Sequence, residues 1–270
     1  MSRIAQTFEA LRHRGEKALI TFLTVGDPDL ATSEQVIHAL VEAGADLLEL
    51  GFPFSDPMAD GPTIQAASER ALVSGTTLHG VLAMVARVRQ HTNVPIVLMG
   101  YYNPVFRYGA EAFARDAAAA GVDGLLLVDL PPEEAGELHP QLKAAGIDLI
   151  TLLAPTTPEQ RMISLAGQAE GFLYYVSMTG VTGTQKVDAV AIAATVNRVR
   201  RESPVPVAVG FGVSTPDDAR AVAAFADAVV VGSALVKVIE THGHSPGLIE
   251  EVQRFVRALK SGVSAASVSI

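Results

Sequence analysis

The chain has 270 residues, which suits one large α/β domain or two small ones, and 49% of them are hydrophobic, enough for a sizeable core. It contains no cysteine, which rules out disulfides and thiolate metal sites, and its net charge of −9 without a basic stripe argues against a nucleic-acid surface. No apolar run approaches the roughly 20 residues that span a bilayer.

The first segment, Arg3–His13, carries Ile4, Phe8 and Leu11 at helical spacing and no signal-peptide apolar core. With the missing cysteines, this agrees with a cytoplasmic address. Eight apolar, β-rich runs follow: Ala18–Val25, Leu47–Gly51, Pro95–Tyr101, Gly124–Leu130, Asp148–Pro155, Phe172–Ser177, Pro206–Gly212 and Ala228–Gly232. They are nearly continuous rather than alternating, as parallel strands covered on both faces should be. Between them lie amphipathic segments at Ser33–Ala43, Leu78–Gln90, Ala110–Ala120, Glu133–Ala145, Pro158–Ala169, Val190–Glu202 and Asp217–Phe225, with a closing helix at Leu248–Leu259. An additional helix is expected over Gly61–Ser74, with Pro62 in its first turn. Gly44, Gly121 and Gly146 each end a helix and turn the chain into the next strand.

This alternation counts to a single (β/α)8 TIM barrel over residues 1–270, with Arg3–His13 as an extra N-terminal helix able to plug its lower end. The tail 261–270 has no helical face and is expected to fray. A doubly wound open sheet is the alternative, but its nucleotide signatures are missing. Gly210-Phe-Gly212 lacks the third glycine, and Gly180–Lys186 is not followed by the Ser/Thr of a Walker loop. Only His242 and His244 of the 7 histidines are close in sequence, and they read as a surface turn without a third ligand, so no metal is expected.

In such a barrel the strand C-terminal ends carry function. Glu49 closes the second strand, on the same face as Leu47 and Gly51, while Leu48 and Leu50 point the other way. Inside the barrel a lone carboxylate is costly; alternatively it simply reaches solvent at the strand end. Asp60 follows across a loop stiffened by Pro53 and Pro57. Two carboxylates in unlike settings can hold separate pKa values, one carrying a proton and one staying ionised. Asp56 competes, but Ser-Asp-Pro reads as turn chemistry. The glycine turns Gly210–Gly212 and Gly232–Ser233 precede helices, with Ser233 a natural N-cap for Ala234–Glu240. They could hold a phosphate through backbone N–H groups, or be plain tight turns. Residues 177–188 form a long loop suited to a lid, or an ordinary exposed connection. Only one of Tyr174 and Tyr175 can face the interior. Phe22 and Leu98 are candidates for the apolar wall.

These residues resemble the α subunit family of tryptophan synthase, from about Ile4 to Lys260. The matching motifs are Leu48–Gln65 (LELGFPFSDPMADGPTIQ), Tyr101–Phe106 (YYNPVF), Val128–Pro131 (VDLP), Gly180–Gly183 (GVTG), Val209–Gly212 (VGFG) and Gly232–Lys237 (GSALVK). The resemblance implies a lyase of tryptophan biosynthesis that cleaves indole-3-glycerol phosphate to indole and glyceraldehyde 3-phosphate by a retro-aldol reaction. It implies Glu49 as the proton shuttle and Asp60 as acceptor of the indole N–H. Tyr174 would support the glycerol end, with Phe22 at the substrate, and Thr182 would close the lid against Asp60. Gly183, Phe211, Gly212, Gly232 and Ser233 would hold the phosphate. No cofactor is implied in this subunit. The implied partner is a pyridoxal-phosphate β subunit in an α2β2 heterotetramer. Contact loops for it are sought at Phe52–Asp56, Asn103–Phe106 and Asp129–Pro132, with Phe54 and Pro104 as exposed interface residues. Other readings are a sugar-phosphate isomerase barrel, an allosteric subunit without catalysis, and a standalone lyase.

Overall fold

The computed structural model describes residues 1–176, 189–210 and 212–266. Its strand segments are β1 (Ala18–Thr24), β2 (Leu47–Gly51), β3 (Ile96–Gly100), β4 (Gly124–Leu127), β5 (Asp148–Leu149), β6 (Thr151–Leu153), β7 (Leu173–Val176), β8 (Val207–Gly210) and β9 (Ala228–Val231). All pair in parallel, in the order β5-β4-β3-β2-β1-β9-β8-β7-β6. Nine segments replace the expected eight runs because β5 and β6 are halves of one of them. The Ile150 N–H still donates to Leu125 on β4, at 2.8 Å, and Thr151 then pairs with Leu173 on β7. The interruption at Ile150 is therefore where the sheet closes into a barrel.

Helices surround it: α1 (Arg3–His13), α2 (Leu30–Glu42), α3 (Pro62–Val73), α4 (Leu78–Arg89), α5 (Tyr102–Tyr108), α6 (Ala110–Ala120), α7 (His139–Ala144), α8 (Glu159–Ala166), α9 (Ala189–Glu202), α10 (Pro216–Ala223), α11 (Ser233–His242) and α12 (Leu248–Ala265). Three differ from expectation. The helix expected over Glu133–Ala145 is a 3-10 turn, Pro132–Glu137, followed by α7. Pro140 has no N–H to continue a helical ladder and its ring crowds the carbonyl four residues back. Asn103–Phe106, expected as a loop, lies within the helix Tyr102–Tyr108, with Pro104 in the first turn where no N–H is needed. The tail expected to fray is helical as far as Ala265. Val263 is fully buried there, and a Cβ on Gly262 would lie 2.2 Å from the Pro216 carbonyl oxygen, so glycine lets α12 pack directly on α10.

The core has two layers separated by strand parity. Leu48, Leu50 and Leu98 pack outward against the helices. Leu47, Val97, Leu126, Ile150, Tyr174, Ala208 and Val230 pack inward with Ile4 and Phe8 of α1, which plugs the barrel's lower end as the sequence suggested. Arg3 pairs with Asp123 at 2.9 Å and the Ser2 hydroxyl donates to Asp148 at 3.1 Å, fixing that plug. Gly44, Gly121 and Gly146 all have positive φ, the left-handed conformation that ends their helices. The aspartates after the first two do further work. Asp46 accepts from the Leu19 N–H at 2.7 Å and Asp123 from the Ile96 N–H at 2.8 Å, each binding an amide in the first two residues of the neighbouring strand. Among the described residues no single helix is long and apolar enough to cross a membrane.

Candidate active site

Glu49 sits between Phe22 of β1 and Val97 of β3 in the parallel register. It shares the inward face with Leu47, and it is fully buried, with no hydrogen-bond partner for either carboxylate oxygen. The strand-end glutamate reaching solvent is thereby excluded. Burial without a compensating donor disfavours the anion and pushes the carboxyl up to about 8. At neutral pH Glu49 is consequently a protonated acid.

Glycines make room around it. A Cβ on Gly51 would lie 2.7 Å from the Phe22 ring, and one on Gly210 would lie 2.4 Å from the Tyr174 hydroxyl. Both rings are folded over backbone that has no side chain of its own. Tyr174 is buried on the inner face. Its phenol is raised well above the ordinary range, first by burial and then by the charge Glu49 would carry. Tyr175 instead packs in the outer layer and bonds Thr195.

Asp60 is only partly buried and belongs to the loop between β2 and α3. The Tyr101 hydroxyl accepts from the Ala59 N–H at 2.9 Å. Burial raises the Asp60 carboxyl, while a hydrogen bond from Tyr101 opposes that rise. The two carboxylates thus occupy unlike environments: one dry and without a donor, the other held by a phenol. Asp56 is exposed and takes its neighbour's Ser55 hydroxyl at 2.5 Å, the local turn chemistry expected of it.

The mouth of the barrel encloses about 20 Å³ between Phe22, Thr24, Asp60, Ile64, Met99 and Tyr101, among others. Met99 and Tyr101 take the place foreseen for Leu98, which faces the helices. The error is one of parity: Val97 lies opposite Glu49, so the inward residues of β3 are Val97 and Met99. Tyr101 could have been found from its place in the YYNPVF motif two positions after Met99. Larger clefts, of about 340 Å³ beside α8 and α9 and about 810 Å³ beside α1, hold none of the expected site residues.

The two glycine turns differ. Gly212 has a φ of 61°, but α10 after it is closed by Thr215, whose hydroxyl accepts from the Asp218 N–H at 3.1 Å. At α11 the cap position is Gly232, with no side-chain cap, and Ser233 is the first helical residue rather than the N-cap. Ser233 cannot cap from there, because a cap must sit one residue earlier in extended conformation. Among the described residues no side chain caps α11, which begins directly after the C-terminal end of β9. Thr182, Gly183, Phe211 and the loop 177–188 lie outside the described residues. Among the described residues no group of three His, Asp or Glu side chains is arranged to hold a metal.

On the rim, Phe54 and Pro104 are half-buried, not exposed as expected. The Phe54 ring stacks on Tyr101 with centroids 5.2 Å apart, and Asn103–Phe106 lie within α5. The exposed apolar side chains after β2 and β3 are instead Met58, 91% exposed, and Phe106, 61% exposed.

A closed parallel barrel with a buried carboxylic acid on its inner face and a second acidic residue in the loop after the same strand places the chain among the (β/α)8-barrel enzymes. The family model described as tryptophan synthase alpha chain matches residues 8–264. A tryptophan synthase alpha chain from Citrifermentans bemidjiense is 59% identical over 97% of this chain and 98% of its own. The crystal structure of tryptophan synthase subunit alpha from Legionella pneumophila superposes with a TM-score of 0.91 at 39% identity, over 98% of this chain and 99% of its own. Tryptophan synthase from M. tuberculosis, in an aminoacrylate-bound form, gives a TM-score of 0.87 at 37% identity, over 97% and 100%. The chain belongs to the tryptophan synthase alpha chain family.

Proposed function

We propose that Glu49 and Asp60 carry the reaction of this family's lyase, the cleavage of indole-3-glycerol phosphate to indole and glyceraldehyde 3-phosphate. The single observation behind the assignment is the inward, donor-free burial of Glu49, which keeps it protonated near neutral pH. The chemistry begins with a proton delivered to C3 of the indole ring, and a neutral carboxylic acid is the form that can deliver it. The resulting carboxylate then takes the proton of the glycerol hydroxyl on the adjoining carbon. The C–C bond breaks as that hydroxyl becomes the aldehyde, and its electron pair restores the indole ring. Asp60 accepts the indole N–H and offsets the positive charge on the protonated ring. Tyr174, folded over Gly210 beside Glu49, orients the glycerol end. The open N-terminus of α11, with Gly232 and Ser233, receives the phosphate through backbone amides; Gly183, Phe211 and Gly212 complete that site, and Thr182 helps a lid close against Asp60.

The family implies a β subunit as partner. We place it on the rim formed by the β2–α3 loop and α5, where Met58 and Phe106 expose apolar surface, in an α2β2 assembly. Pyridoxal phosphate belongs to that partner, this chain uses no cofactor, and the complex is cytoplasmic. Indole release from indole-3-glycerol phosphate, with and without β subunit, tests the reading. Glu49→Gln should lower kcat at least about a hundredfold and Asp60→Asn by about a hundredfold. Parent rates in Glu49→Gln would remove Glu49 from the mechanism. Unimpaired Asp60→Asn would favour a sugar-phosphate barrel without an indole site.

A further inference from the structure

Arg70, in the third turn of α3, joins three of the connections that follow strand C-terminal ends. Its Nε donates to Asp27 Oδ1 at 2.8 Å and its Nη2 to Asp27 Oδ2 at 2.8 Å. Its Nη1 donates to Glu240 Oε1 at 2.9 Å. Asp27 is buried in the connection after β1, and Glu240 lies near the end of α11. The bidentate pair fixes the plane of the guanidinium, and that plane aims the remaining nitrogen at Glu240. A lysine ammonium could not hold both carboxylates in this arrangement.

Apolar packing continues the same seam toward the mouth. Ala67, one turn before Arg70, packs with Val236 of α11 and with Phe22. Both helices begin at residues of the proposed site: α3 starts at Pro62, directly after Asp60 and its cap Gly61, and α11 starts at Ser233. They are clamped together one to two turns behind those ends. The outer arm of the clamp, Arg70 to Glu240, is too exposed to add much stability, its side chains being 33% and 47% accessible. What it constrains is the relative placement of the two helices.

We infer that Arg70 is a positioning residue for the cleavage, holding Asp60 at the indole end in register with the α11 N-terminus at the phosphate end. The inference rests on the reading of the site given above. A residue that sets the spacing between two half-sites should matter for a ligand that spans both and hardly at all for ligands that fill one. Misplacement of a reacting group by about an ångström can cost around a hundredfold in rate.

The test uses the complex with β subunit and compares Arg70→Lys, Arg70→Ala and Glu240→Gln with the parent. Affinities for indole and for glyceraldehyde 3-phosphate, each alone, are measured beside kcat and KM for indole-3-glycerol phosphate. In Arg70→Lys both half-ligands should bind within about twofold of the parent, while kcat/KM for the whole substrate falls about tenfold or more. Glu240→Gln should show the same split, smaller, with an unchanged Tm. Should Arg70→Lys weaken the half-ligands and the whole substrate by the same factor, or leave the whole substrate untouched, Arg70 has only a structural role. A parent complex without lyase activity would defeat the functional reading itself, and this inference with it.

Discussion

The substitution Glu49→Gln separates burial of a charge from burial of a side chain. In the unfolded chain Glu49 ionises near 4.5; in the fold, burial moves it to about 8. Each unit of difference is worth about 1.4 kcal/mol. Because the folded value is the higher, the carboxyl does not penalise folding below pH 4.5, and its penalty grows as pH rises toward 8. Working the linkage through gives a cost of about 1 kcal/mol at pH 5, about 3 kcal/mol at pH 7 and about 5 kcal/mol at pH 9. Glutamine has the same shape and does not titrate, so any cost of burying its amide is an offset independent of pH. Chemical unfolding of parent and variant, followed by circular dichroism at the three pH values, should show Glu49→Gln gaining about 2.5 kcal/mol on the parent between pH 5 and 7, and only about 1.4 kcal/mol more by pH 9. A difference between the two proteins that stays constant across pH would refute the reasoning, since it would mean that Glu49 is solvated or paired in the fold.

Two other consequences follow from contacts at the mouth. Gly210→Ala drives a methyl group into the Tyr174 ring, whose hydroxyl is the nearest atom at 2.4 Å. The overpacking should cost about 1–3 kcal/mol of stability and impair kcat, and adding Tyr174→Phe should restore part of the stability in thermal melts. Leu98→Ala and Met99→Ala should separate cleanly, because their side chains point to opposite faces of β3. The first should cost about 2–5 kcal/mol with KM unchanged, and the second should raise KM with a smaller loss of stability.

What the sequence made legible was mainly periodicity. The run of strands and helices, the parity that sends Glu49 inward with Leu47, and the glycines that end α2, α6 and α7 all follow from residues within a few positions of each other. What it hid depends on partners far along the chain. Leu98 looked like barrel wall because nothing local says that Val97, not Leu98, lies opposite Glu49. Nothing local to Asp46 or Asp123 says that they bind amides at the start of neighbouring strands, which lie 27 residues away in each case. The tail looked featureless because its helix is held by one buried valine and one glycine fitted to α10. Ser233 was displaced by a single position, which is enough to turn a helix cap into the first of the open amides. The break at Pro140 is different: the proline is local, and its missing N–H outweighs the helical spacing of the apolar residues around it.

The half-buried setting of Phe54 bears on how the two carboxylates can be tuned apart. Glu49 is carried by a strand and has no donor, so motion of the rim leaves its environment alone. Asp60 depends on Tyr101, which also receives the Ala59 N–H and the Phe54 ring. With the roles proposed above, a protein seated on the loop 52–56 would therefore act on Asp60 through the Phe54–Tyr101 stack while leaving Glu49 untouched. Removing the stack should imitate the uncoupled state. Phe54→Ala forfeits about 1 kcal/mol of ring contact, and affinity for indole should fall about fivefold. The ionisation near 8 in the pH profile of single-turnover cleavage should stay in place, because its cause is burial within β2. A profile shifted by the substitution would show that the rim reaches Glu49 as well, and the two carboxylates would then form one coupled unit rather than two independently held groups.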